Sequence, residues 1–232
     1  MTDLVRAYFP SWRLGYRCNP FRALTREEWY ELALLPEGWQ GQLESLPALT
    51  LILGEQGSGK TSTLMALQRE YNELDLQVAY EYIPPGSNHF KHHLRDLHVF
   101  LLDEAQRLTK RSLQSLLVHT AGSTHPELHL ILSSHSNLTQ SAANLGVTSM
   151  TLSLDESSPS FIKKLIERRL EFFERTGHTS VRLTPKAENL VISHWGSNLR
   201  LLEKLLYEVY QTWNSENSIT AMHVRGLIED DG

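Results

Sequence analysis

The chain has 232 residues, of which 41% are hydrophobic and 21% are charged, a balance that excludes disordered and fibrous proteins and is typical of globular ones. Its 22 basic and 27 acidic residues give a formal net charge of −5, so attraction of the whole surface to DNA is not expected, whereas a local basic patch is compatible with this charge. No apolar run approaches the roughly 20 residues that a membrane-spanning helix needs.

The N-terminus and the cysteine content indicate the compartment. Residues 1–12 lack the basic segment followed by an apolar one that marks a secretory signal. Cys18 is the single cysteine of the sequence, which excludes an internal disulfide and fits a reducing environment. We therefore expect a cytoplasmic protein.

The pattern of the chain divides it into three segments. Residues 1–48 are predicted to form an N-terminal linker with one short helix, which starts at the capping box of Thr25 and Glu28 and ends before Pro36. Residues 49–155 alternate apolar strands with helices, which predicts a parallel sheet covered on both faces. The strands are expected at 49–53, 77–83, 98–104, 127–134 and 147–154, and the intervening helices at 61–71 and 107–122, the latter with Leu108, Leu113, Leu116 and Leu117 on one face and Gly122 as its stop.

Residues 156–232 contain only helical patterns. Helices are expected at 159–177, where Ile162, Leu165, Ile166, Leu170 and Phe173 form one stripe, and at 184–196, 198–213 and 220–230. The predicted fold class is α/β: a parallel five-stranded sheet with flanking helices, followed by a small C-terminal helical domain.

A glycine-rich stretch, residues 54–62, separates the first predicted strand from the helix that follows it. Gly54, Gly59, Lys60 and Thr61 match G-x-x-x-x-G-K-[ST] in the strand–loop–helix context of a P-loop. Glycines allow backbone N–H groups to turn toward phosphate oxygens at a helix N-terminus. We expect Lys60 to reach the β- and γ-phosphates of ATP and Thr61 to bind Mg²⁺, with the other phosphate contacts made by Gly57, Ser58 and Ser62.

The third predicted strand ends in two acids, Asp103 and Glu104. Downstream of a P-loop, Asp103 can hold the Mg²⁺ shell beside Thr61. Glu104 can orient and deprotonate the attacking water. Strands that end in solvated acids are common, but in combination with the P-loop the pair indicates nucleotide hydrolysis.

Two further residues extend the predicted site. Ser134 ends the fourth strand, where it can contact the γ-phosphate or the water, the alternative being ordinary capping of the strand end. Arg200 lies in the first turn of a C-terminal helix, where it can reach the phosphates, the alternative being a solvated surface arginine.

These motifs, in this order, resemble AAA+ ATPases: the P-loop, LLDE, a polar strand end and GSNLR in a C-terminal helical bundle. Within that family, NPF (19–21), FIKKLIERRL and LTPKAENLVISHWGSNLRLLEKLL resemble the general-secretion, transposition-regulator and initiator ATPases. The likeness extends over most of the chain from about Asn19. It implies that Asn19 and Phe21 lie near the adenine together with Gln56.

The sequence departs from the family pattern in two places. Only residues 84–97 separate the second and third strands, which is short for the pore-loop segment of ring-forming AAA+ machines and disfavours a polypeptide-threading unfoldase. Residues 136–146, where an arginine finger is usual, contain no Arg or Lys, so hydrolysis can be slow or depend on a partner. Candidate substitutes are Arg107, Lys110, Arg111, Arg168 and Arg169, although residues of this kind are more often solvated helix-face charges.

Histidines cluster at 89, 92, 93 and 98, and His89 and His93 have the i, i+4 spacing of some metal ligands. A zinc site needs three or four convergent ligands, and neither H-E-x-x-H nor paired cysteines occur in the sequence. We therefore expect a solvated loop rather than a metal site.

The sequence predicts an ATP-binding and ATP-hydrolysing AAA+-type regulator that uses Mg²⁺ and alternates between ATP and ADP. By the resemblance it forms a homo-oligomer and couples its nucleotide state to binding of a protein partner or DNA. The alternative is a switch or scaffold that binds nucleotide and a protein partner but hydrolyses ATP slowly or not at all, which the missing arginine finger favours. A small-molecule kinase is disfavoured, because Asp103 and Glu104 suit the activation of water that a kinase must exclude.

Overall fold

The computed structural model describes residues 10–39, 43, 46–121, 128–154, 157–196 and 198–230. They belong to two compact units: a helical unit, taken from Met1–Glu28 and Ser157–Gly232, and a sheet unit, taken from Trp29–Glu156. The first helices are α1, Pro10–Arg13, and α2, Arg26–Leu32, and the division falls within α2. The predicted boundary at residue 48 therefore differs from the division that the structure makes between Glu28 and Trp29.

The sheet unit contains one parallel sheet in the order β2-β3-β4-β1-β5. Its strands are β1 Leu49–Leu53, β2 Val78–Tyr82, β3 Val99–Asp103, β4 His129–Ser134 and β5 Ser149–Ser153. The register places Leu53 beside Ser134 and Ser153, and Tyr82 beside Asp103. The predicted five-stranded parallel sheet is confirmed, and the carboxyl ends of its strands meet along one edge.

Apolar residues of the strands alternate between two cores, one on each face of the sheet. Leu51, Phe100 and Leu102 pack in one core, whereas Ile52 and Leu101 pack in the other. Successive side chains of a strand point to opposite faces, so strands that are apolar throughout need a cover on both sides. The helices of this unit are α3 Lys60–Glu73, α4 Lys110–Ala121 and the short α5 Thr139–Ala143.

Helix α4 starts later than the sequence suggests. Residues Ala105–Arg107 form a separate 3₁₀ turn, and Thr109 caps α4 through a 3.1 Å bond from the Ser112 N–H to its hydroxyl. The predicted apolar face is confirmed for Leu113, Leu116 and Leu117, whereas Leu108 packs in the same core from a position before the helix. The predicted stop, Gly122, lies outside the described residues.

Residues after Glu28 join the sheet unit through Arg69 of α3. Its Nη1 lies 3.0 to 3.1 Å from the carbonyl oxygens of Tyr30, Glu31 and Ala33. The last carbonyls of a helix have no partner within the helix, so this guanidinium caps the carboxyl end of α2. The predicted capping box at the other end of α2 is confirmed by reciprocal bonds between Thr25 and Glu28 of 2.9 and 3.3 Å.

The helical unit contains α6 Pro159–Phe173, α7 Pro185–Trp195, α8 Leu199–Thr212 and α9 Ala221–Asp230. Helices α6, α7 and α8 each begin after a side-chain cap, and α6 and α7 begin with proline, which suits the first helical position. Helix α6 ends at Phe173 rather than at Gly177, because the Phe173 carbonyl accepts the Arg17 N–H at 2.8 Å and Tyr16 forms a bridge with Glu174. Of the predicted α6 stripe, the fully buried members are Ile162, Ile166, Leu170 and Phe173.

A buried arginine of α6 holds the N-terminal segment of the helical unit. Arg169 is 7% exposed, and its Nε donates to the Pro20 carbonyl at 2.6 Å. The same guanidinium donates to the Arg22 carbonyl and, at 2.5 Å, to Glu203. Burial lowers the pKa of Arg169, and the carboxylate of Glu203 opposes that effect. Arg169 therefore serves in its own chain, which does not fit the predicted role of substitute arginine finger.

Replacing Arg169 with methionine is expected to lower the free energy of unfolding by about 2–3 kcal/mol, because two buried carbonyls lose a charged donor. Urea denaturation of the full chain measures this change. The control is Arg225→Met at an exposed position, for which a change within about 0.5 kcal/mol is expected. Equal midpoints for the two variants would contradict the structural role of Arg169.

Candidate nucleotide site

The glycine-rich loop between β1 and α3 has three positions at which the structure favours glycine. Gly57 and Gly59 adopt φ values of 92° and 96°, in the left-handed region that favours glycine. At Gly54 a Cβ atom would lie 2.5 Å from the Ser58 hydroxyl oxygen, so a side chain at this position would clash with Ser58. The loop thus leads from the end of β1 to the N-terminus of α3 in the arrangement that suits phosphate.

Lys60, the first residue of α3, turns back into this loop. Its side chain is buried, and Nζ donates to the carbonyl oxygens of Gly54 at 2.6 Å and Glu55 at 2.8 Å. The ammonium group consequently lies at the helix N-terminus, where its charge adds to that of the helix dipole and attracts anions.

Asp103, the last residue of β3, is fully buried and is surrounded by hydroxyl groups. Its Oδ2 accepts from Thr61 Oγ1 at 2.7 Å and from Tyr80 OH at 3.2 Å. Its Oδ1 accepts from the Ser133 hydroxyl and, at 3.1 Å, from the Glu104 N–H. A buried carboxylate needs such donors. They bring together the start of α3, the ends of β3 and β4, and the middle of β2.

The structure distinguishes between two adjacent serines at the end of β4. Ser133 contacts Asp103, whereas the hydroxyl of Ser134 donates to the Ser136 carbonyl at 2.6 Å and accepts the Ser136 N–H at 2.9 Å. Adjacent residues of a strand point to opposite faces, so only one of the two can face Asp103. Ser134 thus caps its own turn, and a role for it at the γ-phosphate stays a prediction.

Sequence reasoning missed two of the groups that contact Asp103. Ser133 directly precedes Ser134. Because adjacent residues of a strand point to opposite faces, the sequence alone made either serine a candidate to face the site. Tyr80 lies on a strand that is adjacent to β3 only in the folded sheet. Its alternation within β2 carries no signal about an acid on another strand.

Glu104 follows Asp103 in an uncommon backbone conformation, with φ of 63°. Its N–H donates to Asp103 Oδ1 at 3.1 Å and to Ser133 Oγ at 3.2 Å. Its carboxylate Oε2 accepts from Gln106 Nε2 at 2.7 Å and pairs with Arg107 Nη2 at 2.8 Å. Backbone strain of this kind concentrates at functional sites, where the surrounding bonds maintain it.

The donors at the mouth of the loop fit Mg²⁺. The hydroxyl of Thr61 and the carboxylate of Asp103 are hard oxygen ligands that already lie 2.7 Å apart. Thr61 directly follows Lys60 at the start of α3, and its bond to Asp103 brings the end of β3 to the same place. A cation held by these two residues would therefore sit beside phosphates bound in the loop.

The remaining predicted site residues differ in what the structure says of them. Gln56 is exposed in the loop, and the Ser62 hydroxyl accepts a 2.9 Å bond from Trp29 Nε1. Asn19, Phe21 and Arg200 belong to the helical unit, so their proximity to the nucleotide stays a prediction.

Within the helical unit, the NPF segment makes packing contacts. Asn19 Nδ2 donates to the Tyr207 carbonyl at 2.9 Å, and the Phe21 ring lies 5.3 Å from that of Tyr210. Arg200 is exposed in the first turn of α8.

The histidine-rich segment is held by Glu81 of β2. Its carboxylate accepts the N–H groups of Lys91 and His92 at 2.8 and 3.0 Å and pairs with His92 Nδ1 at 2.6 Å. Across the part of the chain that the structure describes, no group of three His, Cys, Asp or Glu residues could hold a metal ion. Nor does any helix in that part have the length and apolar character to cross a membrane.

Comparison with solved structures finds similar folds at low sequence identity. A RuvB variant from Thermotoga maritima superposes with a TM-score of 0.60 and 17% identity, covering 91% of this chain and 73% of that one. DnaA from Aquifex aeolicus bound to AMPPCP gives 0.58 and 17%, covering 89% and 70%. Cdc6p from Pyrobaculum aerophilum gives 0.58 and 16%, covering 89% and 71%.

No protein-family model matches the sequence, and no curated protein matches it by sequence. The similarity to the solved structures nevertheless extends over about nine-tenths of the chain. The protein therefore has the fold of the AAA+ P-loop ATPases.

Proposed function

We propose that this protein is a cytoplasmic ATPase that binds ATP with Mg²⁺ in the loop between β1 and α3. The observation that carries the proposal is the 2.7 Å contact between the buried Asp103 and Thr61, the residue that directly follows the buried Lys60. Two oxygen ligands that suit a cation thereby lie at the start of the helix that Lys60 begins. Such a constellation is the working part of P-loop nucleotide hydrolases.

Binding of the triphosphate rests on groups of the loop and of α3. Backbone N–H groups of the loop and the N-terminus of α3 provide donors and a positive potential for the phosphates. Lys60 exchanges its bonds with the loop carbonyls for bonds with phosphate oxygens. Thr61 and Asp103 would hold Mg²⁺, which neutralises charge on the β- and γ-phosphates.

In the proposed hydrolysis, Glu104 is the general base. Its carboxylate takes a proton from water while the water oxygen forms a bond to the γ-phosphorus. The bond from the γ-phosphorus to the bridging oxygen breaks, and ADP leaves with that electron pair. Lys60 stabilises the negative charge that develops on the phosphate oxygens.

The output of the nucleotide cycle is proposed to be binding of a protein partner or DNA by a homo-oligomer, with Arg200 reporting the γ-phosphate to the helical unit. The fold supports this proposal, since a DnaA of the same fold is described as a replication initiator bound to AMPPCP and single-stranded DNA.

A second candidate is a switch or scaffold with slow turnover. Residues 136–146 favour it, because they carry no Arg or Lys that could act on a neighbouring copy.

Replacing Lys60 with alanine is expected to weaken ATP binding about 10- to 100-fold, because the phosphates lose a charged donor. Fluorescence titration with a labelled ATP analogue measures the change. Lys91→Ala, at an exposed position of the same unit, is the control and should bind as the wild type does. Unchanged affinity of the Lys60 variant would remove the phosphate-site assignment.

Replacing Glu104 with glutamine is expected to preserve ATP binding and to lower the rate of phosphate release about 10²- to 10⁴-fold, because the amide cannot accept the proton. The matched control is Glu73→Gln, whose side chain on α3 is 65% exposed. If Glu104→Gln and wild type release phosphate at the same rate, Glu104 is not the base.

If assembly into an oligomer completes the site, the specific ATPase rate is expected to rise with protein concentration. Phosphate release is measured across a dilution series, and mass in solution is measured with and without a non-hydrolysable ATP analogue and duplex DNA. A flat rate profile would favour the isolated switch over the assembling regulator.

A further inference from the structure

The carboxylate of Glu104 is held by only one of its two oxygens. Oε2 receives both the Arg107 guanidinium at 2.8 Å and the Gln106 amide at 2.7 Å. Within the described residues, Oε1 has no hydrogen-bond donor. A general base needs this combination of a fixed orientation and one oxygen able to accept a proton.

The local backbone brings Arg107 over Glu104. Glu104 adopts the left-handed conformation, and the 3₁₀ turn Ala105–Arg107 follows it, closed by a 3.0 Å bond from the Arg107 N–H to the Glu104 carbonyl. The turn brings Arg107 back to Glu104, so that Arg107 Nη2 lies 2.8 Å from Glu104 Oε2.

Arg107 is itself fixed by the neighbouring strand β2. Its Nη1 donates to the Ile83 carbonyl at 2.5 Å and to Tyr82 OH at 3.0 Å, and its guanidinium lies 5.4 Å from the centre of the Tyr82 ring. The hydrogen bond with Tyr82 raises the pKa of Arg107. A planar guanidinium with five donors can serve these acceptors and Glu104 together, whereas a lysine cannot match the geometry.

From these contacts we infer that Arg107 is a positioning residue for hydrolysis, which anchors Glu104 through Oε2 and leaves Oε1 to accept the proton of the attacking water. Arg107 acts on the Glu104 of its own chain and not as an arginine finger on a neighbouring copy. It takes no part in the transfer itself. The inference rests on the proposed ATPase function.

The first test is steady-state kinetics of Arg107→Gln and Arg107→Lys. Arg107→Gln is expected to lower kcat about 10- to 100-fold, because the base loses its orientation, with KM and ATP affinity within twofold of wild type. The kcat of Arg107→Lys should lie between those of wild type and Arg107→Gln. In a Glu104→Gln background the substitution should leave the residual single-turnover rate unchanged.

The matched control is Arg95→Gln, an exposed arginine of the same unit. Unchanged kcat, a faster rate, or a further loss in the Glu104→Gln background would overturn the inference.

The second test distinguishes action within the chain from action between chains. Glu104→Gln retains Arg107, and Arg107→Gln retains Glu104, so mixing the two variants supplies both groups on different copies. If Arg107 acts within its own chain, the mixture should release phosphate no faster than the average of the separate variants. Restored activity in the mixture would assign Arg107 to a neighbouring site and overturn the inference.

A third measurement is independent of turnover. The urea midpoints of wild type, both single variants and the double variant should be non-additive, because either substitution removes the same ion pair. Additive shifts would overturn the anchoring of Glu104 whether or not ATP is hydrolysed. A wild type that binds ATP yet releases no phosphate would overturn the proposed function. Non-additive midpoints would then still establish that Arg107 holds Glu104, but the role of Arg107 in hydrolysis would be rejected.

Discussion

The buried carboxylate of Asp103 is the interaction on which the arrangement of the site depends. Its two oxygens accept from Thr61 on α3, Tyr80 on β2 and Ser133 on β4. A carboxylate without water around it is costly unless hydrogen bonds surround it, so each of these three elements must stay in place. The same bonds fix the start of α3 against the sheet, and with it the loop that Lys60 closes. The strength of the phosphate site and the position of the acids are therefore not independent properties.

The two adjacent acids occupy different surroundings, which suits them to different tasks. Asp103 is enclosed by hydroxyl groups that a cation could share, whereas Glu104 is partly exposed and contacts the charged Arg107. The backbone changes from extended in β3 to left-handed at Glu104, so the Glu104 carboxylate does not follow the direction of the strand. One residue step thus separates the carboxylate proposed to hold Mg²⁺ from the one proposed to activate water.

Two arginines that make contacts within the chain bear on how the proposed ATP hydrolysis would be regulated. Arg169 holds the Pro20 and Arg22 carbonyls in the helical unit, and Arg107 holds Glu104 and the end of β2 in the sheet unit. Both are thereby committed to intramolecular contacts. A positive charge supplied from outside the site would have to come from exposed groups such as Lys110, Arg111 or Arg168, or from another protein. Dependence of hydrolysis on assembly or on a partner is consistent with this distribution of charge.

The sequence by itself determined the strands, most helices, the P-loop and the two acids. These features are local: an apolar run of five residues, a capping box and a glycine pattern each act over a few neighbouring positions. The tertiary structure alone decided that Ser133 rather than Ser134 faces Asp103, that Tyr80 joins them, and that Arg107 holds Glu104. It also decided that residues after Glu28 pack with the sheet, through Arg69. Pairings of this kind depend on which strands become neighbours and on which face a side chain points, and no local pattern contains that information.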